Sequence, residues 1–428
     1  MLIKRVIAYF RQPLYRNSIF LMGNTAATSG LGFIFWMIVA RYYSESDVGL
    51  GAGILSAITL LASASGMGVD TTIIRYLCRS DKPNELINSA LSIEAVSALV
   101  LAVIYIAGIH YWSPATGFIA DQPLFIIFFV LFTIGSTIST SVDSILVALR
   151  RAEFVLFKNA LISLLKLALP VLLVNYFRVF GIAGSWGISM LVVTAIGLYV
   201  LVPALQQRYR PVFQFHPGII RDHWRYSAGN YLAVLLGQAP SLIMPIMTLN
   251  ILGTEQNAYY YVAWMIGSMS FAVPRAIAHS LLAEGSHSPG ELRKNVMRSL
   301  GFSSLILAPL MAAIILLSKW LLLLFGTNYS TNASVLLATL AVSSLFVAVN
   351  SIYCSVLRVR GKIKELVLIY VSIAVAMLVA SRLLMPELGI VAAGYAWLGA
   401  QGIVSLYIIM MFKRRILDYD HGKESTVK

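Results

Sequence analysis

The sequence predicts an all-α integral membrane protein. About twelve transmembrane helices would form two six-helix bundles related by a pseudo-two-fold axis along the membrane normal. Three observations carry that expectation. Of 428 residues, 59% are hydrophobic and only 12% charged, whereas a soluble domain is about a quarter charged. Apolar runs of about 18 residues or more recur along the chain, each long enough to cross a bilayer as a helix. Near the midpoint, Gln206–Arg225 (QQRYRPVFQFHPGIIRDHWR) is too polar to enter hydrocarbon, and apolar runs flank it on both sides.

The first six spans fall at about 17–40, 48–74, 87–109, 123–148, 155–176 and 181–203. The second six fall at about 226–250, 258–282, 296–317, 332–357, 364–384 and 389–411. The chain thus divides into an N-terminal lobe (1–205), a cytoplasmic connecting loop (206–225) and a C-terminal lobe with a cytoplasmic tail (226–428). Outer connections are short. Ser44–Val48, Arg178–Gly181, Gly253–Asn257 and Leu384–Gly389 are turns; the longest is Ser318–Asn332, whose Trp320–Phe325 would lie along the interface.

Loop charge orients these spans. With the N-terminus inside, roughly 27 Lys and Arg fall in inner segments, among them Arg79, Lys82, Arg150, Arg151, Lys158, Arg208 and Arg210. About four fall outside: Arg41, Arg178, Lys319 and Arg382. Both termini are thereby expected in the cytoplasm, and the protein in the cytoplasmic (inner) membrane. The net charge of +14 is scattered through short loops and forms no basic face that could track phosphates, so nucleic acid is excluded as a partner. Cys78 and Cys354 give neither a disulfide framework nor metal-ligand spacing and read as free thiols. Lys4, Arg5 and Arg11, with Val6, Ile7 and Phe10 between them, suggest a surface amphipathic helix and not a signal peptide.

An offset of about 208–209 residues brings the two halves into register. Span four runs into Leu149-Arg-Arg-Ala152 and span ten into Arg358-Val-Arg-Gly361; span six opens on Gly181-Ile-Ala-Gly184 and span twelve on Gly389-Ile-Val-Ala392. An even number of spans per unit makes the repeats parallel, and such lobes would enclose a cavity suited to alternating access.

Lys319-Trp-Leu-Leu-Leu-Leu-Phe-Gly-Thr-Asn-Tyr329, with Ala333-Ser-Val-Leu-Leu337 after it, resembles a recurrent segment of the polysaccharide-export flippases. These belong to the multidrug/oligosaccharidyl-lipid/polysaccharide superfamily. Val356-Leu-Arg-Val-Arg-Gly-Lys-Ile-Lys364 and Leu388-Gly-Ile-Val-Ala-Ala-Gly-Tyr-Ala396 fit the same pattern, and Arg16–Asn24 is similar to the family's first helix. The resemblance implies transfer of a lipid-linked oligosaccharide, on a polyprenyl pyrophosphate carrier, from the cytoplasmic to the outer leaflet. Membrane lipids and other polysaccharide-assembly proteins are the implied partners. Many members carry an Asp in the seventh helix where this chain has Gly237-Gln-Ala-Pro240, so no role is carried over for that carboxylate.

An ionisable residue within a span is costly and marks function by default. Lys166, in span five, is the deepest, roughly 16 Å from the cytoplasmic end at about 1.5 Å per residue. It either faces a cationic central cavity or pairs with a neighbouring carboxylate. Arg275, after Pro274, either lines a cavity opened by a proline kink or snorkels, and Arg75 in span two has the same two readings. Glu94 and Asp143 are candidate proton-coupling carboxylates or ion-pair partners for Lys166. Asn24, Asn230 and Gln238 either contact sugars or bond between helices. Asp70 falls opposite His279 under the repeat offset, and would pair with Arg275 or protonated His279 as an inner gate unless all stay at headgroup level. Tyr259–Tyr261 and Trp264 read as an interfacial belt, and the small residues of Gly49–Gly53 and Ser63–Gly68 as close helix packing.

No nucleotide-binding, zinc-protease or nucleophile-elbow motif occurs, so neither an enzyme nor a cofactor is expected, and any coupling ion would be H+ or Na+. Three rivals remain. An exporter of small cations would need an acidic cavity, a membrane enzyme acting on lipid-linked sugars would carry a large outer catalytic loop, and a non-transporting scaffold would share the repeat.

Overall fold

A computed structural model describes residues 13–215, 217–287 and 289–423; the side chains of 13–15, 18, 175–177, 217–230, 286–287, 289 and 412–423 are outside the described set. The surface helix expected around Lys4–Arg11 and the side chain of Asn230 therefore lie outside the described residues. Every regular element among the described residues is helical. The chain forms two compact units, Met1–Leu235 and Leu236–Lys428.

The first unit comprises α1 (Pro13–Tyr42), α2 (Glu45–Ser65), α3 (Val69–Tyr76), α4 (Pro83–Ala107) and α5 (Pro123–Ala148). They are followed by α6 (Ala152–Val174) and α7 (Arg178–Leu205). Then comes α8 (Pro217–Leu252), within which the boundary between the units falls. The second unit continues with α9 (Thr254–Met269), α10 (Ala272–His287), α11 (Leu292–Leu323), α12 (Thr327–Val359), α13 (Ile363–Leu388) and α14 (Val391–Lys423). Eleven helices among the described residues are long and apolar enough to cross a bilayer. The chain is a multi-pass membrane protein.

Local chemistry sets the ends of these helices. Ser44 caps α2 by accepting the Asp47 N–H at 3.1 Å, and Glu45 and Asp47 place negative charge in its first turn. Proline at the first position starts α4 and α5, where no N–H is needed. α6 and α7 are joined by a sharp turn at Arg178, which has φ 32°.

Span eight is not the continuous helix expected over 258–282. It breaks after Met269 into two helices of 16 residues each, α9 and α10, so neither alone has spanning length. Pro274 sits in the first turn of α10, four residues past the break, where its missing N–H costs nothing. Span two breaks in the same way. α2 stops at Ser65, and Met67 (φ 47°) and Gly68 (φ 79°) turn the chain before α3. Gly66–Gly68 thus interrupts a helix, whereas Gly51 does serve close packing, since a Cβ there would lie 2.9 Å from Ile182 Cγ2. The long outer loop expected at Ser318–Asn332 is also absent, because α11 runs to Leu323 and α12 begins at Thr327.

In each unit the fourth predicted span is the hub. α5 packs against α2, α3, α4, α6 and α7, and α12 against α9, α10, α11 and α14. The expected belt of Tyr259, Tyr260 and Trp264 is instead core: they are 4%, 0% and 8% exposed. Tyr259 stands edge-on to Tyr329, and Trp264 packs on Tyr260, Phe271 and Trp397. α9 carries these rings on the face turned into the unit, so they fill the space around the break and leave the bilayer interface to others.

The first part of the connecting loop is also ordered differently from a free loop. Gln206–Phe215 runs beside α4 and is held by Asn84, Asn88 and Ser92, which share one face at helical spacing. Gln206 Nε2 donates to Asn84 Oδ1 (3.1 Å), and Asn88 Nδ2 donates to the Arg210 carbonyl (3.0 Å). The Gln214 N–H reaches Ser92 Oγ at 3.0 Å. Tyr209 is buried in the cluster formed by Ile73, Leu86, Ile145 and Val202, and that burial pushes its phenol above the ordinary value. Asn88→Ala should release this strap, and trypsin cleavage after Arg208 should accelerate several-fold. An unchanged cleavage rate would show that Tyr209 alone holds the segment.

A candidate polar site in the first unit

The polar residues of α5 are confined to its second half, Thr133–Ser144, and face inward because α5 is surrounded by other helices. Three carboxylates converge on this stripe: Asp143 pairs with a lysine, whereas Asp70 and Glu94 share Ser141. Asp143 is paired with Lys158, whose Nζ lies 3.0 Å from Asp143 Oδ1. Lys158 Nζ also donates to Ser139 Oγ (2.8 Å) and to the Ser139 carbonyl (3.2 Å). Two hydrogen bonds and an ion pair thus enclose the ammonium of a side chain that is 0% exposed. The other Asp143 oxygen accepts Asn159 Nδ2 at 2.9 Å.

This corrects two expectations. Lys158 is not a loop cation but a fully buried residue six positions into α6, and it takes the place expected of Lys166 as Asp143's partner. A lysine so near a helix end reads as snorkelling from sequence; only the approach of α5 turns it inward. The signal that could have found it is Asn159 beside it, two adjacent polar residues in a run otherwise apolar from Phe154 to Ile162 apart from them.

Lys166 forms no ion pair among the described residues. Its Nζ lies over the Phe35 ring, 5.4 Å from the centroid. It borders a cavity of about 230 Å³ within this unit, shared with Thr28, Ser136, Thr140, Asp143, Asn159 and Ser163. Lys166 and Asp143 are the charged residues of this wall, and the pairing of Asp143 with Lys158 leaves Lys166 as the surplus charge. Hydroxyl and amide groups supply the rest of the polar wall. Such a wall can bind an anion through one ammonium and several neutral donors.

Asn24 lies one turn from the cavity, its carbonyl accepting Thr28 Oγ1 at 2.7 Å, and its side-chain oxygen is buried without a hydrogen-bond partner among the described residues. Glu94 and Asp70 sit on the other side of α5, bridged by Ser141. Neither contacts Lys166 as an ion pair. Arg75 is exposed, stacked on Tyr76 at 5.4 Å. In the second unit, Gln238, Arg275 and His279 are exposed on α8 and α10. The core there is neutral. Asn350, the repeat partner of Ser141, donates to the Gln401 carbonyl (3.0 Å) and accepts Ser405 Oγ (2.9 Å). Cys78 and Cys354 are both free, as expected.

Residues 14–278 match the model of a family described as polysaccharide biosynthesis protein. An uncharacterized membrane protein of Methanocaldococcus jannaschii is 20% identical over 423 residues, covering 94% of this chain and 100% of that one. Among solved structures, the lipid II flippase MurJ in an inward closed conformation aligns with a TM-score of 0.77 at 11% identity, over 92% of this chain and 87% of that one. An inward-facing multidrug resistance transporter of the MATE family and MOP superfamily gives 0.72 at 16% identity, over 94% and 96%. A MOP superfamily transporter from Pyrococcus furiosus gives 0.64 at 16%, over 94% and 95%. The fold is shared with all three.

Proposed function

The chain belongs to the polysaccharide biosynthesis protein family, and from that premise we propose that it moves a lipid-linked oligosaccharide on a polyprenyl pyrophosphate carrier between membrane leaflets. The carrying observation is the surplus cation of the first unit. Lys166 stands in a hydroxyl-rich cavity whose carboxylate, Asp143, is already paired with Lys158. A pyrophosphate needs an ammonium and neutral donors, and sugar hydroxyls need Ser, Thr and Asn, while the polyprenyl tail stays in lipid. The direction is cytoplasmic to outer leaflet in the cytoplasmic membrane, with both termini inside, as the loop charges favour.

Cells lacking the protein should accumulate lipid-linked oligosaccharide on the inner leaflet, and Lys166→Ala should reproduce that accumulation. Lys166→Arg should retain partial export, since charge is kept while reach and geometry change. Full export by a stably expressed Lys166→Ala protein would remove the cavity from the mechanism. A second reading, export of organic cations, draws on Asp143, whose side chain is 27% exposed. The two readings separate on charge: loss of Lys166 abolishes export of an anionic lipid and leaves or raises export of a cation.

A further inference from the structure

The carboxylates on the far side of α5 carry a different chemistry. Glu94 on α4 is 0% exposed, and Asp70 lies in the first turn of α3, just past the break in span two. Ser141 Oγ contacts both, Asp70 Oδ1 at 3.1 Å and Glu94 Oε2 at closer range. Ser144 Oγ donates to the same Asp70 oxygen at 3.2 Å. A serine hydroxyl has one hydrogen. It cannot donate to two carboxylates, so one of the two contacts must run the other way, from a protonated carboxyl to the serine oxygen.

Ser144 already donates to Asp70, and Glu94 is fully enclosed, with Oε1 lacking any partner among the described residues. Burying an unpaired carboxylate costs far more than burying a carboxylic acid. The proton therefore belongs on Glu94, which donates to Ser141, which in turn donates to Asp70.

Among the described residues no cation replaces it. Among the described residues neither Asp70 nor Glu94 has a Lys, Arg or His within ion-pair distance. Around the pair, α5 contributes Asp143, neutralised by Lys158 of α6, and α8 contributes the Tyr231 phenol. α2 contributes the Ser65 hydroxyl, 2.7 Å from Thr137 Oγ1, and the carbonyls of its last turn. Tyr231 hydroxyl donates to the Ala64 carbonyl (2.6 Å) and lies 3.0 Å from the Ser63 carbonyl, two of those left open where α2 ends. Asp70 Oδ2 points to the same break, 3.8 Å from where a Cβ on Gly66 would be. The acid pair and the interrupted helix are one structure.

We propose that Glu94, Ser141 and Asp70 form a binding site for one exchangeable proton, seated against the break in span two. It requires nothing about the substrate assigned above. Loss of the proton puts two carboxylates on one hydroxyl beside a helix end whose carbonyls already repel negative charge, so the break must rearrange or the site must rehydrate. At the position the repeat offset matches to Ser141, Asn350 of the second unit meets neutral partners.

Infrared spectroscopy of the full chain in lipid nanodiscs tests this without any transport assay. At neutral pH the protein should show the carbonyl stretch of a protonated carboxyl, shifting in heavy water and disappearing in Glu94→Gln. The amide of that variant can donate to Ser141 as the acid does, so it should fold and unfold like the parent. Ser141→Ala should move the band without removing it. Absence of a protonated-carboxyl band overturns the proposal, including the case in which sodium balances the pair. So does a band that survives Glu94→Gln, one insensitive to heavy water, or failure of Glu94→Gln to fold.

Discussion

Lys158→Met should destabilise the first unit by about 3–5 kcal/mol, the range seen when one partner of a buried ion pair is removed. The variant leaves Asp143 facing Asn159 alone and removes the ammonium from Ser139 Oγ. Adding Asp143→Asn should recover most of the loss, because the stranded charge is removed and an amide can still bond Asn159. Thermal unfolding of both proteins in detergent measures the difference. Equal losses in the single and double variants would mean that Lys158 acts through packing and not through charge. Lys166→Ala should behave differently, with little change in stability, because no carboxylate loses its partner.

Trp264→Ala should cost a similar amount, about 3–5 kcal/mol, by a different route. In a bilayer, apolar burial between helices gains little over contact with lipid, so packing itself carries the association. Trp264 is 8% exposed and touches three other rings, with Trp397 at 5.2 Å and Phe271 at 6.3 Å between centroids. Its removal opens a void where span eight is already broken, and no continuous helix backbone holds that region together. Trp264→Phe should recover part of the loss. A thermal shift no larger than that of a lipid-facing substitution such as Leu316→Ala, on a residue 79% exposed, would place the ring outside the core.

The sequence by itself determined the class and the approximate position of eleven of the twelve spans, because bilayer thickness imposes a run length that apolar composition displays directly. What it could not determine were the partners. Lys158 and Asp143 are 15 positions apart with a turn between them, and near a helix end a lysine has water as an alternative until α5 closes over it. The strap of Gln206–Phe215 depended on Asn84, Asn88 and Ser92 being turned toward it, a matter of how α4 is rotated. The breaks in spans two and eight lay inside predicted spans, where hydropathy is blind to backbone dihedrals. The inward turn of Tyr259–Trp264 and the sharing of Ser141 between Glu94 and Asp70 were decided the same way. Hydropathy measures how much each residue prefers lipid to water; only the packing of helices against α5 and α12 decides which polar atoms must satisfy one another once water is gone.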